Sequence, residues 1–410
     1  MLSEKKQRRK RFISGIFLTI ISLCGTLLIL EGATRFLPTP YPPESDPVFS
    51  CNHTLGWTGT PDFQGLAKGD AFEQSVELNA LGMHDTEHPF EKEADTFRIL
   101  MLGDSFVHAV QVPEVETSHQ ILEDQLNAFT ETPVEVISHG VVHWGTGQQL
   151  TAYRTQGRHF QPDLVLLMVY LGNDLQDNLP GHVYSLQGRN CYAPYFTVCD
   201  GQLMPASLPY APGLSDLSNG CESWQRSLIT MMGTIYKRSR LYQQIEPLLI
   251  SQYPRQIFGR EYPSHFSALY FPTQEPELSQ AWQVTLATLA QLQEEVEAQG
   301  GQFAIALISP DIVVQLATLP EAERAQFLQD NPIFSQAQLD LPNQQLATFL
   351  DEQQIPFIDL AEPLAYHLDT YKIPLYIFGD GHWNVDGNRI VGEALAQWLI
   401  DNEQLSVPRQ

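Results

Sequence analysis

Three short polar blocks in this 410-residue sequence carry side chains whose types and spacing could perform acyl transfer. They are Gly103-Asp104-Ser105, Gly172-Asn173-Asp174 and Asp380-Gly381-His382-Trp383-Asn384. Serine is a weak nucleophile until an imidazole accepts its proton. That imidazole must present the correct nitrogen, which a carboxylate on the same loop can enforce. The oxyanion of a tetrahedral intermediate needs hydrogen-bond donors, which an amide side chain or a backbone N–H can supply. Ser105, His382, Asp380 and Asn173 offer these four functions, and the Ser105 backbone N–H is a second donor candidate. Each block taken singly has an ordinary reading as well. Ser105 reads as a helix N-cap, Asn173-Asp174 as a turn, and Asp380 with His382 as a surface loop pair.

The elements that must position these blocks follow from hydrophobic patterning. Phe97–Leu102 (FRILML) and Leu164–Tyr170 (LVLLMVY) are continuous apolar runs, as expected of strands covered on both faces. Further strands are expected at Val134–Ser138, Phe303–Ile308 and Pro356–Leu360. Helical stretches alternate with them at Ser118–Ala128, Gln148–Gly157, Glu277–Gln299, Gln336–Gln353 and Asn388–Ile400. Five strands alternating with helices predict an α/β fold with a doubly wound, mainly parallel sheet. Ligands of such sheets bind outside the carboxyl ends of the strands, and each polar block falls at such an end or just before the last helix. Residues 51–95 read as a small cap segment with turn signals at Asn79–Gly82. The rhythm lapses over about 181–274, which reads as an insertion with an amphipathic helical segment at Trp224–Ile250.

On these blocks the chain resembles the SGNH (GDSL-type) hydrolases, over roughly residues 97–180 and 277–400. The matching motifs are GDSF at Gly103–Phe106, GND at Gly172–Asp174 and DGHWN at Asp380–Asn384. The resemblance implies Ser105 as nucleophile, His382 as general base, Asp380 as its partner and Asn173 as an oxyanion donor. The G-x-S-x-G elbow of α/β-hydrolases is absent. Two departures matter. The acid and base stand as Asp380-x-His382, whereas the family commonly has Asp-x-x-His. This D-x-H-W variant resembles a branch that acetylates exopolysaccharides as well as many bacterial esterase-like members. In the block Ser138–Thr146, His143 occupies the position where the family's glycine offers its N–H to the oxyanion. The expectation is that His143 keeps that donor and adds a bulkier wall. His139 and His143 also invite a metal reading, but no third ligand accompanies them, so no metal or cofactor is expected.

Charge and cysteines address the compartment. The balance is −25, yet Lys5, Lys6, Arg8, Arg9, Lys10 and Arg11 crowd the first eleven residues; the remainder holds 17 basic against 47 acidic residues. An acidic surface of that size disfavours nucleic acid as a partner. Phe12–Leu30 is uncharged and mostly apolar, close to the ~20 residues that span a bilayer. With the basic cluster before it, the positive-inside rule puts the N-terminus in the cytoplasm and the rest outside. The domain reading is therefore a basic cytoplasmic segment (1–11), a transmembrane signal anchor (12–34), a Pro-rich spacer with the cap segment (35–95), and a hydrolase-like domain (96–404). A cleaved signal peptide would have a shorter apolar region and a small-residue cleavage site. Cys51, Cys191, Cys199 and Cys221 would then lie in an oxidising compartment; of three pairings, Cys191–Cys199 with Cys51–Cys221 is the one expected.

Three functions fit these features. The leading one is an extracytoplasmic serine ester hydrolase acting on carbohydrate or lipid esters. The second is an O-acetyltransferase of cell-surface or exported polysaccharide, working beside a membrane-bound acetyl-donor protein. The third is a catalytically silent glycan-binding or scaffold protein.

Overall fold

The computed structural model describes residues 2–37, 47–179, 183–186, 189–206, 239–241, 268–270, 276–331, 334, 337–402 and 404–406. Helix α1 (Leu2–Thr34) contains one stretch, Phe17–Thr34, long and apolar enough to cross a membrane. A signal sequence near the N-terminus can also meet that criterion of length and composition. Two antiparallel hairpins follow. They are β1 (Phe49–Asn52) with β2 (Gly56–Gly59), and β3 (Gln64–Lys68) with β4 (Glu73–Glu77). The predicted turn at Asn79 forms through its own side chain: Oδ1 accepts from the N–H groups of Leu81 and Met83.

The central sheet is built from β5 (Phe97–Gly103), β6 (Val134–Gly140), β7 (Leu164–Tyr170), then β12 (Gln302–Ile308) and β13 (Phe357–Asp359). All pairings are parallel, in the spatial order β13-β12-β7-β5-β6. Counted along the chain this is 2-1-3-4-5, the flavodoxin-like doubly wound order, whose switch point lies between the first and third strands. Here those are β5 and β7. The pleat sends Leu100 and Leu102 into one apolar layer and Ile99 and Met101 into the other. Burial on both faces is why these runs read as continuously apolar in sequence.

The first layer is covered by α4 (Thr146–Thr155), α6 (Pro276–Ala298) and α9 (Leu341–Gln353). The second is covered by α3 (Ser118–Phe129), α10 (Ala361–Tyr371) and α11 (Val385–Asp401). Two short helices, α2 (Ser105–His108) and α5 (Asp174–Asp177), begin directly after β5 and β7, and α7 (Asp311–Thr318) and α8 (Glu321–Asp330) follow β12. The expected helix from Gln336 starts later, at Leu341. Residues 337–340 are turn and loop, and Pro342, one residue into the helix, suits a first turn where no N–H is needed. The final helix starts earlier than Asn388 because the Asn384 side chain caps it, accepting from Gly387 N–H at 2.9 Å.

The insertion is not only helical. Its described part forms two further hairpins, β8 (Val183–Leu186) with β9 (Arg189–Tyr192), and β10 (Tyr195–Cys199) with β11 (Gln202–Ala206). The second turns on Asp200-Gly201, both at positive φ (51° and 78°), which is the two-residue loop that matches strand twist. That Asp-Gly pair was the available sequence signal. The Trp224–Ile250 segment lies outside the described residues apart from 239–241.

The cysteine pairing differs from expectation. Cys51 is bonded to Cys191, which joins β1 to β9. Sequence proximity favoured Cys191–Cys199, but β10 runs extended at ~3.3 Å per residue and carries Cys199 away. Cys51 faces β9 because the first hairpin packs against the β8–β9 hairpin around Trp57, Leu186 and Ala193. Cys199 is also disulfide-bonded, with a partner outside the described residues, and Cys24 is free and exposed on α1.

His139 on β6 is fully buried, and neither ring nitrogen has a hydrogen-bond partner. Burial pushes its pKa down from the ordinary 6.5 to about 4. The unfolded chain therefore binds a proton that the folded one refuses, and this contribution to stability is lost as pH falls from about 6.5 toward 4. His139→Gln lacks that proton uptake. Its stability deficit relative to wild type is expected to shrink by about 1.5 kcal/mol between pH ~6.5 and ~5. Urea unfolding of both proteins at the two pH values measures this, and a pH-independent deficit would contradict it.

Candidate active site

Ser105 is the first residue of α2, immediately after β5, and two neighbours fix this turn. Asp104 caps the helix, its Oδ1 accepting from Phe106 N–H at 2.9 Å. Gly103 leaves no room for a side chain, because a Cβ there would lie 2.4 Å from Val107 Cγ2. Asn173 stands in the corresponding place after β7, as the residue preceding α5. The switch point of the sheet thus places the Ser105 and Asn173 turns on adjacent strands.

His382 comes from a loop 277 residues further along the chain, and its Nε2 lies 2.7 Å from Ser105 Oγ. Its Nδ1 lies 2.6 Å from Asp380 Oδ1. A carboxylate can only accept, so the imidazole proton sits on Nδ1 and Nε2 is left to accept from the Ser105 hydroxyl. The Asp-x-His spacing works because Gly381 adopts φ 88°, a left-handed conformation that turns the chain tightly. Asp380 Oδ1 then also accepts from His382 N–H at 3.2 Å. The loop is held by Ile377 N–H donating to His382 O at 2.8 Å and by an antiparallel bridge between Tyr376 and Trp383. The ring of Phe106 packs at 4.8 Å from the His382 ring and at 4.7 Å from Trp383, limiting the imidazole's freedom. Phe106 directly follows the nucleophile candidate, yet sequence reasoning gave it no role.

Asn173 Nδ2 donates to Asp177 Oδ2 at 2.6 Å, which fixes the amide's orientation and leaves its second N–H uncommitted by that bond. Asp177 lies four residues on, so a helical i,i+4 relation was the signal for this partner. Burial raises the Asp177 carboxyl to about 7, while His143 and the Asn173 hydrogen bond oppose the rise. Burial likewise pushes Asp104 up to about 6 and Asp174 well above the ordinary carboxylate range. Asp174 Oδ2 accepts from Tyr170 N–H at 3.0 Å and from Gln149 Nε2 at 3.3 Å, bracing the end of β7. Burial thus makes each of these three carboxyls harder to ionise than an exposed one, Asp174 most of all.

His143 has φ 57°, the left-handed region a glycine would occupy. Histidine is among the residues that enter it more readily than most, so the backbone turn exists without glycine. Its exposed side chain packs 5.7 Å from the Tyr184 ring. His139 is buried on β6 against Trp144 and does not join His143 in a cluster.

No protein-family profile matches this chain, and no curated protein does. Similar solved structures include a G-D-S-L family lipolytic protein from Desulfitobacterium hafniense DCB-2, at 10% identity and a TM-score of 0.34, covering 73% of this chain and 98% of that one. An acetylxylan esterase from Geobacillus stearothermophilus aligns at 11% identity and a TM-score of 0.37, covering 75% of this chain and 96% of the other. LAE5, an alpha/beta hydrolase enzyme from the metagenome of Lake Arreo, Spain, aligns with the same identity, coverage and TM-score. At these scores the likenesses carry nothing about substrate or mechanism.

Proposed function

We propose that the chain is a serine ester hydrolase in which Ser105 attacks an acyl carbon. The observation that carries this is the continuous relay from Ser105 Oγ through His382 to Asp380, at 2.7 and 2.6 Å. His382 Nε2 takes the serine proton as the hydroxyl adds to the ester carbonyl. It then returns that proton to the departing alkoxide, leaving an acyl-serine. Water, deprotonated by the same nitrogen, releases the acid. Asp380 keeps the imidazole in its working tautomer and stabilises the imidazolium that forms transiently. The Asn173 amide and the backbone N–H groups of Ser105 and His143 are the oxyanion donors in this reading.

The substrate is an acylated carbohydrate or lipid outside the cytoplasm, and the apolar helix with its basic flank anchors the domain on that side of the membrane. The second reading is transfer of an acetyl group to a cell-surface or exported polysaccharide, from the same acyl-serine, with a membrane-bound donor protein. The Asp380-x-His382-Trp383 block favours it. The third, a silent glycan-binding or scaffold protein, requires that Ser105 not react.

Reaction with a fluorophosphonate probe tests the nucleophile. Stoichiometric labelling mapped to Ser105 by peptide mass spectrometry is the expected result, and an unlabelled Ser105 would favour the silent reading. Acetylxylan or acetylated exopolysaccharide incubated with the labelled and unlabelled enzyme then separates hydrolysis from transfer, by release of free acetate. Asn173→Ala is expected to lower kcat for p-nitrophenyl acetate by on the order of 10²–10³-fold with little change in KM. A loss below tenfold would remove Asn173 from the oxyanion site.

A further inference from the structure

Away from the Ser105 relay, three buried or half-buried acceptor groups converge beside the edge strand β6. Asp85 comes from the loop after the hairpins, Glu114 from a single 3₁₀ turn (Glu114–Glu116), and His119 from the first turn of α3. One donor atom from each lies within 4.8 Å of the other two. Asp85 and His119 are both about 2% exposed. His119 Nε2 is 3.4 Å from Asp85 Oδ1 but makes no hydrogen bond, and Glu114 Oε1 is buried without a partner.

Hydrogen bonding fixes which atoms can take up a cation. The Thr117 hydroxyl donates to Glu114 O at 2.7 Å, so its lone pair faces His119 Nδ1 at 2.8 Å. The imidazole proton therefore sits on Nδ1, and the Nε2 lone pair points at a carboxylate oxygen. His88 is different. Its Nδ1 lies 2.6 Å from Glu135 Oε1 and its Nε2 lies 3.2 Å from the same Asp85 oxygen. Against the opposing effect of burial, these two carboxylates raise its pKa to about 10, so it is an imidazolium that donates to both. Glu135 is held in turn by Arg98 Nε at 2.6 Å. A lone pair facing a carboxylate in a buried site is unfavourable unless a positive centre lies between them. An outer partner on the far nitrogen, here the Thr117 hydroxyl on His119 Nδ1, is the usual support of a metal-binding histidine.

We propose that Asp85, Glu114 and His119 bind one divalent transition-metal ion of the zinc type. Imidazole nitrogen and carboxylate oxygen are suitable donors for zinc at ~2.0–2.2 Å. A tetrahedral ion with such bonds spaces its donors ~3.4 Å apart, which is already the His119–Asp85 separation. The site is closed and stands outside the Ser105 relay, so the ion is a structural clasp. It joins the loop after the hairpins to α3. The same Asp85 carboxylate also grips β6 by accepting from Ser138 N–H at 2.7 Å.

The test uses the full-length chain, stripped with EDTA and titrated with zinc chloride. Calorimetry is expected to show roughly one tight equivalent per chain, and the thermal midpoint should climb with free zinc, because an ion that binds only the folded chain stabilises it. Glu114→Gln breaks no hydrogen bond at the buried Oε1 and keeps the side chain's shape. It is expected to fold, and to bind zinc ~10–100-fold more weakly with the midpoint shift reduced in step. His119→Gln should do the same. A wild-type chain that takes up no stoichiometric zinc overturns the proposal, as does a Glu114→Gln protein that binds as tightly as wild type. The readout is independent of ester turnover, so a failed esterase assay leaves this result interpretable.

Discussion

Ser105→Ala is expected to lower kcat/KM for p-nitrophenyl acetate by on the order of 10⁴–10⁶-fold, to a residue of binding and oxyanion stabilisation alone. The reason is the position of Oγ, which is the hydroxyl 2.7 Å from His382 Nε2 and the only atom the substitution removes. Folding should be almost untouched. The hydroxyl's other contact is a long 3.4 Å approach to Asp104 Oδ2, and a typical side-chain hydrogen bond contributes about 1 kcal/mol. The cap that shapes the turn is made by Asp104, not Ser105, so α2 keeps its start. Steady-state kinetics beside a thermal melt therefore separates loss of chemistry from loss of structure. A variant with wild-type turnover would remove Ser105 from the mechanism. The same substitution disables both the hydrolytic and the transfer readings, because both pass through the acyl-serine.

Asp380→Asn should cost about 10⁴-fold in kcat while leaving KM within a few-fold. The asparagine is nearly isosteric, and its amide can still occupy the 2.6 Å position beside His382 Nδ1. If the NH₂ group faces the ring it donates to Nδ1, and the imidazole proton must move to Nε2. That nitrogen then meets Ser105 as a donor and can no longer take its proton. If the amide oxygen faces the ring, the tautomer survives but the negative charge that stabilises the imidazolium is gone. Either way substrate binding is little changed, because Asp380 acts through His382. Slow fluorophosphonate labelling of Asp380→Asn, with unaltered thermal stability, would locate the defect in nucleophile activation. A kcat within tenfold of wild type would mean that another group orients the imidazole.

Several elements were legible because their cause is local. FRILML and LVLLMVY read as strands since a strand covered on both faces needs apolar residues at every position, and β5 and β7 are buried throughout. The alternation with helices then led to a doubly wound sheet, and the observed strand order is of that type. Where the reading failed, the deciding interaction was either small or distant. The start of α9 moved to Leu341, next to Pro342, because helical periodicity extends past a boundary that backbone hydrogen bonding does not cross. The β10–β11 hairpin was announced only by the two residues Asp200-Gly201. Cys51 met Cys191 rather than Cys221 because hairpins far apart in sequence pack together. Asp85 and His119, 34 residues apart and on different elements, carry no motif that spacing could reveal.

The sequence by itself determined which residues could do the chemistry, since nucleophile, base, carboxylate and amide are properties of side-chain types at strand ends. It also determined the apolar stretch near the N-terminus, which is a matter of composition. Only the tertiary structure decided that the Ser105 and Asn173 turns follow neighbouring strands, because adjacency of β5 and β7 depends on sheet order. It likewise decided that a two-residue Asp-x-His spacing can serve, through the positive φ of Gly381, and that His143 takes a glycine's conformation. Hydrophobic period is written in neighbouring residues, whereas a 2.7 Å hydrogen bond across 277 positions exists only once the core has fixed both backbones.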